Sequence, residues 1–366
     1  MHTRIDLAII GRGAVTPAGL GLDAMRAGKV AATPVEPSGH PGESWPVLRI
    51  DQKDPAFTRW QREPRLRRAS PISFFLVEAA AQALGDATPE QRAQTGLIVA
   101  FSAGCLAYSR RFYEQIVRQS PRAASPALFP ETVFNSPVSH VATVLGLNGA
   151  AYALVGDEAA WVSALITASV WLREGRVQQV LVLGAEEFDP LVLDAYRSAR
   201  WLRRGQSARG FLTSEGAAGI LVRPAAAPSV IPSEARDQFR PTPVITTAAD
   251  GFTYRTKKEA REAGEELFNA IPTGTPLFRT AQHNWLASLE ESLTRNHPLA
   301  PEPLYLGEAF LASAAWRTLQ AAHELSPHCP NLALPLWGLN HQFGLLELAT
   351  EVSRPAAKPA NNRFNS

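Results

Sequence analysis

The stretch Gly149 to Leu165, G-A-A-Y-A-L-V-G-D-E-A-A-W-V-S-A-L, constrains the fold more than any other part of this chain. Tyr152 to Val155 has the character of a short buried strand, Gly156 marks a turn, and Ala159 to Glu174 reads as an alanine-rich helix stopped by Gly175. A strand that feeds a helix through one tight turn presents side chains at the helix N-terminus, where free N–H groups and the dipole activate a nucleophile. Here the tip carries Asp157 and Glu158, so the turn has the shape of a nucleophile site without the nucleophile.

Strand and helix signals alternate along the rest of the chain in two rounds. Leu7 to Gly11, Gly96 to Phe101, Tyr152 to Val155, Val177 to Gly184 and Ala217 to Val222 read as strands, and Ser73 to Leu84, Ala159 to Glu174 and Leu191 to Tyr196 as helices. Ala31 to Pro46 reads as a Pro/Gly-rich loop. A proline-spaced stretch then separates a first half, residues 1–223, from a second, residues 244–352, with 224–243 as linker and 353–366 as a flexible tail. The second half is expected to hold helices over Lys257–Asn269, Gln282–Thr294 and Gly307–Glu324, with strands near Leu332–Leu336 and Phe343–Leu348. With 366 residues and 45% hydrophobic content, the chain can bury a large α/β core.

The opening run resembles the β-ketoacyl synthase segment G-P-x-Y-T-V-D-T-A-C-S-S-S-L-V-A-L, in which the cysteine opens the helix and takes up the acyl chain. Laid on it from Gly149, the tyrosines coincide at Tyr152 and the cysteine falls on Glu158. Three further runs are similar to motifs of that family: I-I-G-R-G-A-V-T-P-A-G (Ile9 to Gly19), F-N-S-P-V-S-H-V-A-T-V-L-G-L (Phe134 to Leu147) and R-G-F-L-T-S-E-G-A-A-G-I-L-V (Arg209 to Val222). The resemblance implies a thiolase-like fold, five αβαβα layers built from two similar halves.

It also implies that the catalytic positions are vacated. Against the family's H-G-T-G-T-P-L-G-D, the run I-P-T-G-T-P-L-F-R puts Ile271 at the first histidine. Against its K-S-x-x-G-H-x-x-G-A-A-G, the run P-L-Y-L-G-E-A-F-L-A-S-A puts Pro303 at the lysine and Glu308 at the second histidine. Glu158, favoured by the helix dipole by about 0.3–1 kcal/mol, is expected to stay ionised and unacylated. Ile271 offers no donor to a developing enolate, and an anionic Glu308 would repel one.

Within the family, type II polyketide chain-length factors lack the cysteine and pair with an active ketosynthase. Their V-A-E-Q-A-G-G-L-D-A-L is similar to Val155–Leu165, and their A-G-G-F-x-F-T-x-R-x-F falls on A-G-C-L-A-Y-S-R-R-F-Y (Ala103 to Tyr113). That resemblance makes Leu106, Ser109 and Tyr113 a gate on the acyl tunnel. Spacings of three and four place them on one helical face, a pattern that an ordinary core stripe also shows. Trp161, one turn past Glu158, would fill volume that an acyl group needs, or simply pack the core. The G-D-E-A-A wording is similar to partner subunits of aryl-polyene pathways.

Other readings are thinner. Gly11-Arg12-Gly13 lacks the third glycine of a dinucleotide loop, and Ser214-Glu215-Gly216 lacks the leading glycine of a hydrolase elbow. His140, His283 and His341 have no metal-ligand spacing, and Cys105 and Cys329 form no motif, so no metal or cofactor is expected. Net charge +2 gives no warrant for a nucleic-acid or membrane partner, and no apolar run reaches the ~18 residues of a membrane span, which suits the cytoplasm.

Two function classes remain. One is a non-catalytic subunit that pairs as a heterodimer with an active ketosynthase, meets the acyl carrier protein through that complex, and sets chain length. The other is an enzyme that uses Glu158, with Asp157 or Glu308, as paired carboxylates to decarboxylate or hydrolyse a carrier-bound acyl group. A self-associating scaffold would need no partner at all.

Overall fold

One mixed sheet runs through both halves, and its strand order reveals a repeat that the letters hide. The computed structural model describes residues 2–203, 210–226, 242–281 and 284–351. The first half contributes β1 (His2–Thr16), β2 (Gly19–Leu20), β3 (Ala32–Val35), β4 (Trp45–Leu48), β5 (Thr95–Phe101), β6 (Ala151–Val155), β7 (Gln179–Glu186), β8 (Thr213–Ser214) and β9 (Gly216–Pro224). Its helices are α1 (Gly21–Ala27), α2 (Pro55–Gln61), α3 (Pro71–Leu84), α4 (Pro89–Ala93), α5 (Leu106–Arg118), α6 (Asn135–Leu145), α7 (Ala159–Arg173) and α8 (Pro190–Ser198). The second half adds β10 (Pro243–Thr253), α9 (Lys257–Asn269), α10 (Asn284–Leu293), α11 (Phe310–Glu324), β11 (Asn331–Trp337) and β12 (Gln342–Thr350).

The main sheet has the order β11-β12-β10-β1-β9-β7-β5-β6. Its middle is the antiparallel pair β1·β10, the first long strand of each half. Moving outward, β9 and β12 are antiparallel to their neighbours, and β7 and β11 follow. The first half then adds β5 and β6, both parallel to β7. In the second half the matching positions shrink to single parallel bridges, Leu277 to Ala333 and Leu277 to Leu299. The two halves share one plan, with the outer strands of the second worn down to isolated residues.

Helices fill three layers around this sheet. Outside the first half lie α3 and α6; outside the second lie α9 and α10; between them α7 and α11 touch strands of both halves. That sandwiching explains why both middle helices are apolar nearly all round, with Ala159–Val162 and Phe310–Ala322 buried. The fold is the five-layer thiolase-like one.

Most of the expected elements lie where periodicity placed them, but four differ. Inside the expected loop Ala31–Pro46, β3 pairs with β4, which continues to β8. Pro243–Thr253 forms a long strand that the proline-rich surroundings conceal. The helix expected from Gly307 starts at Phe310, because Gly307 turns the chain at φ +80° and Glu308 then bridges alongside Thr213, bonded to Leu212 and Ser214. Finally, β6 is not buried: as the last strand of the sheet it leaves Tyr152 53% and Val155 55% exposed. Most of the linker and all of the expected tail fall outside the described residues.

Candidate functional site

The turn after β6 delivers Asp157 and Glu158 to the head of α7, each only 1% exposed. Asp157 accepts the Ala159 N–H at 3.2 Å, which ties the turn to the first helical residues. Glu158 occupies the N-cap position in helical geometry and makes no capping bond, and its buried Oε2 has no hydrogen-bond partner. Burial, then the charges of Glu308 and Asp157, push its carboxyl pKa well above the ordinary range. Removal from water outweighs the small dipole gain, so the surroundings of Glu158 disfavour its charged form, against the expectation that the helix head would favour it. Burial raises Asp157 as well, against hydrogen bonds from the main-chain N–H groups of Ala159, Gln342 and Asn340.

Glu308 arrives from the opposite half, immediately ahead of α11. Its Oε1 accepts the Phe310 N–H at 2.9 Å, and its Oε2 accepts from Arg317 Nη2 at 2.8 Å. Phe310 sits at φ +42°, a strained conformation for a bulky residue, and its ring packs 5.4 Å from that of Tyr196. Burial lowers the Arg317 pKa, but Glu308, Glu158 and then Glu290 more than reverse this, so the guanidinium stays charged. The repelling free anion expected at Glu308 is thus a paired one.

The sequence reading missed Arg317 altogether. Its only signal was a charged residue inside the apolar run Phe310 to Leu319. It missed Tyr196 too, whose hydroxyl pKa is raised by burial and then by Glu186, Glu158 and Glu308. Tyr196 stacks on Trp201 at 5.7 Å and meets Phe211 edge-on at 5.6 Å, so aromatic rings fill the space beside Phe310. Trp161 is wholly buried between the two middle helices, where its Nε1 donates to Thr318 Oγ1 at 2.9 Å.

The remaining expected positions do not join this constellation. Ile271 lies just past the C-terminus of α9, packed with Phe268 and Leu277 in the outer cluster of the second half. Pro303 lines a surface cleft instead. Leu106, Ser109 and Tyr113 do share one face of α5, where with Val117 and Leu191 they border a groove of about 370 Å³. His140 pairs with Glu131 at 3.0 Å, and His341 holds φ +70° in the β11–β12 turn against Tyr254. His283 falls outside the described residues. Among the described residues no cluster of three or more His, Cys, Asp or Glu could hold a metal ion. Cys105 is buried, and burial with Glu187 nearby raises its thiol to about 12, which makes it inert.

The family model for the β-ketoacyl synthase N-terminal domain matches residues 6–227, well over half of the chain. The chain belongs to the β-ketoacyl synthase family. Comparison with curated proteins finds no matching relative. Among solved structures, it is similar to the ishigamide ketosynthase/chain length factor, with TM-score 0.73 and 20% identity over 94% of this chain and 99% of that one. It is also similar to AntDE:AntF, a type II PKS acyl-carrier protein in complex with its ketosynthase bound to the hexaketide, at TM-score 0.71 and 16% identity over 95% and 100%. A β-ketoacyl synthase from Burkholderia phymatum STM815 gives TM-score 0.70 and 16% identity over 95% and 100%. At these identities the likeness speaks for the fold. The turn that resembles the family's acyl-bearing one carries the buried carboxyl of Glu158.

Proposed function

We propose that this β-ketoacyl synthase relative is a non-catalytic subunit that pairs with an active ketosynthase and shapes the acyl tunnel of a type II polyketide or polyene synthase. The observation that carries this reading is Glu158. A carboxyl sealed from water in place of a thiol is a poor acyl acceptor, and the neighbouring Glu308 is engaged by Arg317 rather than free to act as a base. The hydrolase or decarboxylase reading needs both acids available, so it is not carried forward. The polyene variant rests on the Gly156–Ala160 wording and the compact length of 366 residues.

Surface features support a partner. β6 is an open edge strand bearing exposed Tyr152 and Val155, and unpaired edges of that kind invite another strand. The groove bordered by Leu106, Ser109 and Tyr113 carries the adjoining Val117, 82% exposed, and Leu191, 46% exposed. Such apolar exposure fits a covered interface, and there the three would act as the proposed tunnel gate. Exposed Arg62, Arg65, Arg67 and Arg68 offer a basic surface to an acidic carrier protein.

Co-expression with a ketosynthase encoded beside it, followed by mass measurement of the complex, tests the reading. A 1:1 heterodimer that is lost on Val155→Lys is expected. A homodimer that by itself turns over malonyl-carrier protein would overturn it.

A further inference from the structure

Arg12, singled out in the sequence as the centre of Gly-Arg-Gly, lies inside β1 and not in a loop. The glycines around it exist for packing: a Cβ on Gly11 would stand 1.9 Å from Ala83 O, and one on Gly13 would stand 2.0 Å from Ala79 O, both on α3. Strand alternation sends Arg12 to the opposite face. There it lines a cleft of about 560 Å³ together with Leu22 and Met25 of α1, Phe278, and Leu319 and Gln320 of α11. None of these belongs to the Glu158 constellation.

Among the described residues the Arg12 guanidinium has no hydrogen bond or ion pair, and burial alone lowers its pKa, with no carboxylate offsetting the loss of water. Acids do stand at the mouth, but Asp23 faces Arg26 at 3.6 Å and Glu302 faces Arg279 at 3.7 Å. Glu324 lines the wall without pairing to Arg12. Gln320, 7% exposed, accepts the Leu304 N–H at 3.1 Å through Oε1, which leaves its NH₂ without an acceptor among the described residues. Two donors thus meet in one cleft, beside the apolar side chains of Leu22, Met25, Phe278 and Leu319, while Asp23, Arg26, Glu302, His323 and Glu324 also line it.

A half-buried cation without a counter-charge weakens a fold, yet its planar fork is the group best suited to grip a carboxylate or phosphate. The cleft volume lies within the roughly 300–1,000 Å³ typical of small-molecule sites. We propose that this cleft binds an amphipathic organic anion, with its carboxylate or phosphate head on Arg12 and Gln320 and its alkyl part against Met25, Phe278 and Leu319.

Calorimetric titration of the full chain with octanoate and with octyl phosphate tests this, and the anion that binds identifies the head group. One-to-one binding is expected, weakened at least tenfold by Arg12→Gln. Leu304→Glu, at a rim residue 40% exposed, should weaken it similarly without touching β1, and so serves if the arginine variant misfolds. With the cleft empty, Arg12→Met should raise the thermal midpoint, since it removes an unpaired desolvated charge. Failure of both anions to bind, equal binding by wild type and both variants, or a lower midpoint for Arg12→Met overturns the proposal.

Discussion

Arg317 Nη2 stands 2.8 Å from Glu308 Oε2, with the two side chains only 6% and 4% exposed. The pair joins the head of α11 to its own second turn and places a positive charge beside the buried Glu158 and Glu290. Cutting one member strands the other without solvent. Arg317→Met should therefore cost about 3–5 kcal/mol in urea unfolding, whereas Glu308→Leu with Arg317→Met should cost clearly less. Equal losses in the single and double variants would deny that the pair is the unit.

The buried acids set a pH dependence. Burial raises Glu186 to about 8, and Glu187 and Glu290 to about 7, from an ordinary 4.5, and it raises Glu158 too. A folded state that holds protons more tightly than the unfolded chain loses stability as pH climbs through that window. Unfolding free energy should fall between about pH 4.5 and 8. Glu158→Gln, which cannot ionise, should flatten part of the slope and help more at pH 8 than at pH 5. An unchanged slope would show that Glu158 does not hold its proton.

Trp161 is fully buried in the middle layer. Trp161→Ala should destabilise by about 3–5 kcal/mol through the cavity it opens. Trp161→Phe should lose far less, because Thr318 Oγ1 keeps its bond to Ala314 O at 2.9 Å after the indole donor has gone. Thermal unfolding of both variants decides whether the side chain packs a core or merely occupies an acyl space.

If α5 forms the proposed gate, bulk at Leu106 and Tyr113 should govern product length within the heterodimer. Tyr113→Ala should lengthen the products and Leu106→Trp shorten them, as read by mass spectrometry. Both residues are at least partly exposed in the single chain, so stability of the subunit should move by no more than about 0.5 kcal/mol for Tyr113→Ala. An unchanged product spectrum would make the stripe simply an interface.

Elements and family were legible because both are written in local pattern. The core run at Leu97–Phe101, the strand–turn–helix at Tyr152–Leu165 and the glycine-marked ends of helices each depend on neighbours a few residues away. Pro243–Thr253 was obscured because prolines at its start imitate a linker, while its pairing partners β1 and β12 lie far along the chain. Ile271 was matched by the letters T-G-T-P-L, but that run leads into the bridge at Leu277 and leaves Ile271 at the end of α9.

From its letters alone, this protein was a β-ketoacyl synthase relative with an acid in place of the thiol, since residue identity and short-range periodicity carry that information. How hard that acid is to ionise was decided only in three dimensions. The Glu158 carboxyl resists ionisation because folding buries it and brings Glu308 from the other half beside it. Arg12 and Tyr152 follow the same physics: whether a side chain faces a cleft, a partner or a core depends on sheet order and layer packing, which distant residues supply. Ionisation and exposure are properties of the surroundings, and the surroundings exist only once the chain has folded.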